Sequence, residues 1–309
     1  MATSLVENLK SRDCPVCGAP AISGIPFLDR KIDKDRFNAF SYASRKTPEY
    51  MCYRLVRCPV CDVVYASESP PATTIGHAYH QAAYDSKNEA LHAAMAYERA
   101  LLPRLARLSG RNGVLDIGTG SGGFLQRMRE NGFTNLVGVE PSRAAIDAAD
   151  PDIRPCICEG LFSAADFKPA SFSVISCFMT LEHVPDPRSL VNDCVGLLKP
   201  DGIMVAVVHD WRAWNNRVLG RRAPIIDIEH LQLFSKNSVA ELYRKAGFTD
   251  IQCRSFRNRY PLDYWNRLLP TPSWMKTGLA GVLRATHLGQ LCLSMNVGNL
   301  IVVAQAGSR

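Results

Sequence analysis

The chain has 309 residues, with 36 Lys and Arg against 29 Asp and Glu, and a formal net charge of +7. This length provides for one large domain and a small one. The modest charge suits an acidic substrate such as a phosphate, but no basic block marks a nucleic-acid-binding tail. Every apolar stretch of about 18 residues is interrupted by polar side chains, and the first residues lack the apolar core of a signal peptide, so we expect a cytoplasmic protein without a transmembrane segment.

Two near-identical cysteine knuckles are the first pattern along the chain, "CPVCG" at 14–18 and "CPVCD" at 58–62. Four thiolates suit tetrahedral zinc, and because Cys fills all four positions we expect a structural metal rather than a catalytic one. A nucleic-acid-reading ribbon is the alternative. We assign residues 1–70 to a small zinc-ribbon-like domain with a hairpin around the second knuckle, and the predicted zinc ligands are Cys14, Cys17, Cys58 and Cys61.

Residues 71–109 are predicted to form a linker and an N-terminal helix. Apolar residues recur at intervals of three and four between residues 79 and 108, which predicts one continuous helix. Pro103 is expected to kink this helix, and the "SGRNG" stretch at 109–113 to end it.

Strand and helix patterns alternate from residue 110 to residue 309. Apolar strands separated by helices indicate a parallel sheet that is covered on both faces. Residues at about 258–292 are predicted to be a helical insertion before the last strand, which covers the substrate or packs on the core. The predicted strands are 113–118, 135–140, 154–158, 172–178, 202–209, 250–256 and 299–306.

A glycine-rich turn at the end of the first of these strands has the pattern Asp116-x-Gly118-x-Gly120-x-Gly122. A turn of this kind is also found in dehydrogenases, but a carboxylate two residues before the first glycine suits an ammonium group rather than a pyrophosphate. Glu140 ends the next strand, where it can accept hydrogen bonds from two ribose hydroxyls. An ammonium group and a ribose without a phosphate describe S-adenosylmethionine.

Three further segments accompany this turn, at 177–187, 197–208 and 229–248. In this order they resemble motifs of the class I S-adenosylmethionine-dependent methyltransferases, over residues of about 110–254 and the final strand. The resemblance implies an α/β, Rossmann-like fold with a mostly parallel seven-stranded sheet. It also implies that the turn holds the methionine end of the cofactor, that Glu140 holds the ribose, and that later loops border the adenine, where core packing is an equal alternative for the two Phe side chains. The cofactor-binding residues it implies are Asp116, Gly118, Thr119, Gly120, Gly122, Glu140, Pro141, Leu161, Phe162 and Phe178.

Methyl transfer to an oxygen can require a base with a pKa near 7, and histidine is the usual one. His183, His209 and His230 lie at expected strand ends and are the catalytic candidates, although each could equally be structural. The segment around His183 resembles the ubiquinone-pathway O-methyltransferases, which carry an acidic residue where this chain has Met179. We therefore do not expect a catalytic metal.

These features predict a methyltransferase that acts by O- or C-methylation on a small-molecule acceptor, in particular a sugar, glycolipid or natural-product precursor. Sugar-linked, lipid-linked and phosphorylated acceptors all stay open. The cysteine knuckles ahead of this domain also resemble the zinc-containing sugar C-methyltransferases. The alternatives are a zinc-ribbon RNA methyltransferase, which the modest charge disfavours, and a non-catalytic S-adenosylmethionine-binding module. The sequence does not determine the oligomeric state.

Overall fold

The computed structural model describes residues 5–43, 49–268 and 271–307, so parts of the predicted 1–70 and 110–309 segments lie outside it. Short strands surround the two cysteine knuckles in the N-terminal part. Strands β3 and β4 pair in antiparallel fashion around the second knuckle, which confirms the predicted hairpin. The strands of this part are β1 (Lys10–Ser11), β2 (Ile25–Leu28), β3 (Leu55–Arg57), β4 (Val64–Ala66) and β5 (Glu68–Ser69).

Two helices, rather than one, follow this segment: α1 (Ala72–His80) and α2 (Lys87–Leu105). The prediction of one continuous helix over 79–108 is therefore wrong. The break has a tertiary cause, because the Ala83 amide donates to the Ala39 carbonyl at 2.8 Å instead of continuing the helix. Pro103 lies in the last turn of α2, which ends two residues later.

A seven-stranded sheet forms the centre of the molecule, in the order β12-β13-β10-β9-β6-β7-β8. All neighbouring pairs are parallel except those of β13, which runs antiparallel to β10 and β12. This arrangement confirms the predicted Rossmann-like sheet. Its strands are β6 (Asn112–Ile117), β7 (Thr134–Glu140), β8 (Ile157–Glu159), β9 (Phe172–Phe178), β10 (Leu198–His209), β12 (Phe248–Pro261) and β13 (Cys292–Ala306), while β11 (Gln232–Leu233) lies elsewhere.

Helices connect these strands, and the side chains of Ser142, Asp186 and Ser235 cap three of them. The Asp186 side chain accepts the Ser189 amide at 3.0 Å, and Pro187 follows at the first helical position. The helices after α2 are α3 (Gly123–Glu130), α4 (Arg143–Asp147), α5 (Pro187–Leu197), α6 (Trp214–Leu219), α7 (Lys236–Lys245), α8 (Leu262–Leu268) and α9 (Ser273–Ala285). Single 3-10 turns occur at Ala21–Ser23, Lys34–Arg36, Arg154–Cys156, Ala164–Asp166 and Gly220–Arg222.

The last two strands are longer than predicted. Beyond the sheet they continue as a ribbon in which Asn258 lies opposite Met295 and Pro261 opposite Cys292. Of the described residues in the predicted helical insertion at 258–292, only those of α8 and α9 are α-helical, and Tyr264 and Trp265 of α8 pack in a core cluster with residues of the sheet.

Strand β11 joins the N-terminal part to the rest of the chain. It pairs with β4, with Gln232 opposite Tyr65, and so completes a four-stranded sheet in the order β11-β4-β3-β2. The Trp211 indole also donates to the Asp62 carbonyl at 3.0 Å. The backbone pairing of β4 with β11 therefore crosses the domain boundary predicted near residue 70.

The Arg12 side chain lies within this junction. Its guanidinium donates to the carbonyls of Ala66 at 3.3 Å, Leu231 at 3.2 Å and Pro185 at 2.8 Å, and to the Gln232 side-chain oxygen at 2.9 Å. Burial lowers the pKa of Arg12 to about 10, so the group stays protonated at neutral pH. One cation therefore satisfies acceptors from three distant segments.

We expect Arg12→Ala to lower the free energy of unfolding by about 2–4 kcal/mol, because it removes four hydrogen bonds from this junction. Urea unfolding followed by circular dichroism measures this. Arg36→Ala is the matched control, since Arg36 is exposed. Equal stability of the two variants would contradict the role given to Arg12.

Candidate functional site

A cavity of about 710 Å³ lies at the carboxyl ends of the parallel strands. Asp116, Glu140, Phe178 and His209 line it from strands β6, β7, β9 and β10. Open α/β sheets bind ligands at this edge. The N-terminal part and helix α1 form the opposite wall, with Tyr42, Ala72, Ile75 and Tyr79.

The glycine turn adopts left-handed backbone conformations. Gly118 has φ +73° and Gly122 φ +74°, and a Cβ atom at either would approach another side chain to 2.4 Å, Thr180 or Ile153 respectively. Packing therefore requires glycine at both positions. At Gly120, φ is +59° and the nearest heavy atom to a Cβ would be 4.0 Å away, which leaves this part of the cavity wall open to a ligand.

Asp116 is a buried carboxylate beside this turn. One oxygen accepts from the Thr119 hydroxyl at 2.7 Å and the other from the Ser176 hydroxyl at 2.7 Å. Burial raises the pKa of Asp116 to about 6 despite these two hydrogen bonds. A ligand with a positive charge would favour the ionised form.

Glu140 is the second buried carboxylate. It accepts the Gly120 amide at 2.7 Å and the Ser142 amide at 2.9 Å. Burial raises the pKa of Glu140 to about 7, and the negative charge of Asp116 adds to the rise. A carboxylate has about four acceptor sites, so hydroxyl groups of a ligand can still bind to it.

The two carboxylates fit an S-adenosylmethionine-type ligand better than a dinucleotide. A pyrophosphate binds to the backbone amides of a glycine turn and would be repelled by two carboxylates beside that turn. An ammonium group would instead compensate the buried negative charge. These residues would hold the methionine end and the ribose.

The residues expected around the adenine also lie on the cavity. Leu161 is 54% exposed, whereas Phe178 is buried and stacks on Tyr97 with ring centroids 4.1 Å apart. Phe178 therefore packs in the core and lines the cavity at once. Of the ten cofactor-binding residues implied by the sequence, Gly122 alone does not line the cavity wall, and the binding roles stay predictions.

The three candidate histidines lie together and line the same cavity. The His230 ring centroid is 4.9 Å from that of His183 and 5.0 Å from that of His209. His209 Nδ1 lies 2.9 Å from the Asn299 side-chain oxygen, and burial lowers the pKa of His209 to about 4. His209 is therefore neutral and a weak base near pH 7.

Two residues beside these histidines were not anticipated. Tyr79 places its hydroxyl 2.8 Å from His183 Nδ1, and a Glu229 carboxylate oxygen lies 3.7 Å from the same nitrogen. Glu229 precedes His230 in the sequence, which is a signal that could have been used. Tyr79 lies 104 positions from His183 and offers no local signal.

His183, Glu229 and His230 offer ligand atoms that all lie within 4.8 Å of one another. Two imidazoles and a carboxylate can hold a divalent cation. Glu229 and His230 lie outside the segment that contains Met179 and His183, so the expectation that no catalytic metal binds stays a prediction.

The four knuckle cysteines form a compact cluster outside the cavity. Cys14 and Cys61 have Sγ atoms 3.4 Å apart, Cys17 and Cys58 have theirs 3.5 Å apart, and all four lie within 4.8 Å of one another. Tetrahedral zinc with Zn–S bonds of about 2.3 Å needs sulfur atoms about 3.8 Å apart. The thiol set therefore fits a closed zinc site.

Comparisons with known proteins agree with this geometry. A family model described as a methyltransferase domain matches residues 89–253, more than half of the chain. A ubiquinone biosynthesis O-methyltransferase of Paracidovorax citrulli is 36% identical over 128 residues, which are 38% of this chain and 52% of that protein. Another protein of this name, from Ralstonia nicotianae, is 30% identical over 180 residues, which are 52% of this chain and 74% of that protein.

The chain spans about half the length of most of these curated relatives. A solved S-adenosylmethionine-dependent methyltransferase from Archaeoglobus fulgidus is 15% identical, with a TM-score of 0.47 over 69% of this chain and 94% of that one. Within the described residues, no helix has the length and apolar character needed to span a bilayer. From the family match, the sheet order and the carboxylate-bearing glycine turn, we conclude that the chain belongs to the class I S-adenosylmethionine-dependent methyltransferases.

Proposed function

We propose that the protein methylates a hydroxyl oxygen of a small-molecule acceptor that has an apolar part. One observation carries this proposal: a single cavity is lined both by the Asp116 and Glu140 carboxylates and by the Tyr79–His183–Glu229 group. Its volume is in the upper part of the range of roughly 300–1,000 Å³ typical of small-molecule sites. This volume supports binding of a cofactor and an acceptor side by side.

The walls of the acceptor end favour an uncharged, hydroxyl-bearing molecule. They combine aromatic and aliphatic side chains with amides, and include Trp265, Tyr260, Met295, Asn215 and Asn258. Because the described lining contains no Lys or Arg, a phosphate inside the cavity is disfavoured, and so is an RNA backbone. A sugar, glycolipid or natural-product precursor fits this lining, with any phosphate outside the cavity.

Two observations support an oxygen acceptor: His183 lines the cavity and can act as a base, and the relatives are named O-methyltransferases. Bound S-adenosylmethionine supplies an electrophilic methyl group with a neutral thioether as leaving group. As the new O–C bond forms, His183 Nε2 takes the hydroxyl proton. Glu229 stabilises the resulting imidazolium, and Tyr79 orients the ring through Nδ1. His209, with its pKa of about 4, is assigned a structural role.

We further propose that Cys14, Cys17, Cys58 and Cys61 hold a structural zinc ion. The sulfur spacing supports this, and so do the matching knuckle turns, in which Gly18 donates to the Cys14 carbonyl and Asp62 to the Cys58 carbonyl. The residues at 14–66 have short strands, so the metal would contribute much of their folding energy.

Cofactor affinity should depend on pH through the two buried carboxyls. Because their pKa values are raised to about 6 and about 7, both are protonated at pH 5, and an ammonium-bearing ligand binds the ionised forms. Affinity for S-adenosylhomocysteine, measured by calorimetry, should therefore rise from pH 5 to pH 8 by about tenfold or more. Asp116→Asn should lower the affinity at pH 8 at least about tenfold and flatten the profile.

Asp147→Asn, on the exposed side of α4, is the control and should behave as the wild type. A wild-type affinity that does not change with pH, or an unaltered Asp116→Asn variant, would refute this assignment.

Methyl transfer should be detectable with methyl-labelled S-adenosylmethionine and fractionated cell extract, with the product identified by mass spectrometry. We expect a methyl ether on a small molecule. His183→Gln should lower kcat by roughly 10²–10⁴-fold without changing the affinity for S-adenosylhomocysteine, while His77→Gln, at an exposed position of α1, should have no effect.

Methyl label in the RNA fraction would instead show that the protein is an RNA methyltransferase. Cofactor binding without any labelled product would indicate a non-catalytic module, and an unchanged kcat in His183→Gln would remove this residue from catalysis.

One zinc ion per chain is expected by elemental analysis. Cys17→Ser should lose it and lower the free energy of unfolding by several kcal/mol, because a three-ligand site binds more weakly. Cys158→Ser is the control, since Cys158 is exposed and outside the cluster. Full zinc content in Cys17→Ser would contradict the proposed ligand set.

A further inference from the structure

Helix α9 exposes its apolar side chains to an unusual degree. All its residues are described, and Leu283 is the only buried one. Trp274 is 73% exposed and Val282 57%. Trp274, Met275, Leu279 and Val282 share one side of the helix, and the segment that follows adds three exposed leucines. We call this set the α9 surface, and its members are Trp274, Met275, Leu279, Val282, Leu288, Leu291 and Leu293.

Residues 264–307, which include α9, contain basic but no acidic side chains, and the acidic residues beside them are Asp263 and Glu89. Arg267, Lys276 and Arg284 lie within or beside the two helices. Arg267 pairs with Glu89 at 3.8 Å, and Asp263 accepts from Gln290 at 3.4 Å at the start of α8. The exposed apolar residues are thus accompanied by cations.

We propose that the α9 surface docks onto an anionic lipid bilayer. An amphipathic helix with Trp and Leu on one side and basic residues beside them binds in the interfacial region of a membrane. The apolar side chains enter the headgroup boundary, and the exposed Arg284 of α9 reaches the anionic headgroups. A contiguous exposed apolar patch of this kind is uncommon on a surface that contacts water alone.

The charge distribution favours a lipid surface over a second copy of the chain. Two α9 helices packed on each other would bring together two copies of residues 264–307, which contain Arg267, Lys276 and Arg284 but no Asp or Glu. The like net charge of the two segments disfavours such an interface. Anionic headgroups provide the missing negative charge.

Docking at α9 would bring the bilayer close to the cavity. The Asn266 side-chain amide donates to the Lys276 carbonyl at 2.9 Å, and Lys276 Nζ donates to the Arg267 carbonyl at 2.8 Å, so α8 and α9 are tied together. Tyr264, Trp265 and Leu268 of α8 line the cavity. A molecule dissolved in the lipid would then reach the acceptor end over a short path. The inference goes beyond the acceptor chemistry proposed above and does not require it.

Co-sedimentation of the full chain with vesicles tests this proposal without any acceptor or turnover. The probe is vesicles of equal parts phosphatidylcholine and phosphatidylglycerol, compared with pure phosphatidylcholine. We expect at least about tenfold stronger partitioning into the anionic vesicles, weakened by salt. Trp274→Glu and Val282→Glu should each lower it at least about tenfold, because a charge enters the apolar side.

Ile22→Glu is the matched control, since Ile22 is 96% exposed but lies in the N-terminal part. All variants should keep the wild-type affinity for S-adenosylhomocysteine, which shows that they are folded. Absence of partitioning, or partitioning that Val282→Glu leaves unchanged, would overturn the proposal. A concentration-dependent dimer in sedimentation velocity that Val282→Glu abolishes would overturn it as well, in favour of self-association.

Discussion

The position of the loop that follows strand β9 determines the acceptor half of the cavity. This loop contains His183 and is held by Gln232, whose side-chain amide donates to the Val184 carbonyl at 2.8 Å. The Leu231 amide donates to the Glu182 carbonyl at 2.8 Å, and Arg12 donates to Pro185 and to Gln232. Three segments that are distant in sequence therefore meet at one hydrogen-bonded junction, and the geometry of the histidine cluster depends on it.

This junction gives the N-terminal part a role in the site as well as in stability. Tyr42 and Tyr79 form a wall of the cavity, and Tyr79 contacts His183 directly. The apolar core continues across the same boundary, since Val16 and Tyr65 pack in one cluster with Leu181 and Leu190. A metal that ordered the knuckles would consequently act on the acceptor end through packing, although no knuckle cysteine lines the cavity.

The burial of Asp116 and Glu140 lowers the stability of the fold, because two carboxylates lose their contact with water. Asp116 and Glu140 are both buried, and burial raises the pKa of each. Hydrogen bonds from Thr119, Ser176, Gly120 and Ser142 offset only part of the desolvation. Replacing either acid by an apolar residue would favour the stability of the protein alone, but it would remove the charge that we propose selects a cationic ligand.

Local pattern was sufficient for most of the sheet and for the glycine turn, although residues 154–156 of the strand predicted at 154–158 form a 3-10 turn instead. Strands β6, β7, β9 and β10 follow apolar runs, and their order in the chain implies where Asp116 and Glu140 lie, since parallel strands bring their carboxyl ends to one edge. The two cysteine knuckles could also be predicted from the sequence, because near-identical short motifs form similar turns. These features depend on spacing within about 10–20 residues, which periodicity and motif analysis can detect.

Tertiary structure alone decided the break at 81–86, the pairing of β11 with β4 and the contact of Tyr79 with His183. Each replaces or adds a contact between residues that are far apart in the chain. The helical spacing over 79–108 was correct as a local preference, but the Ala83 amide found a partner in Ala39 instead. A sequence pattern records which face of an element is apolar, whereas the partner that a polar group finds across the fold depends on the assembled backbone.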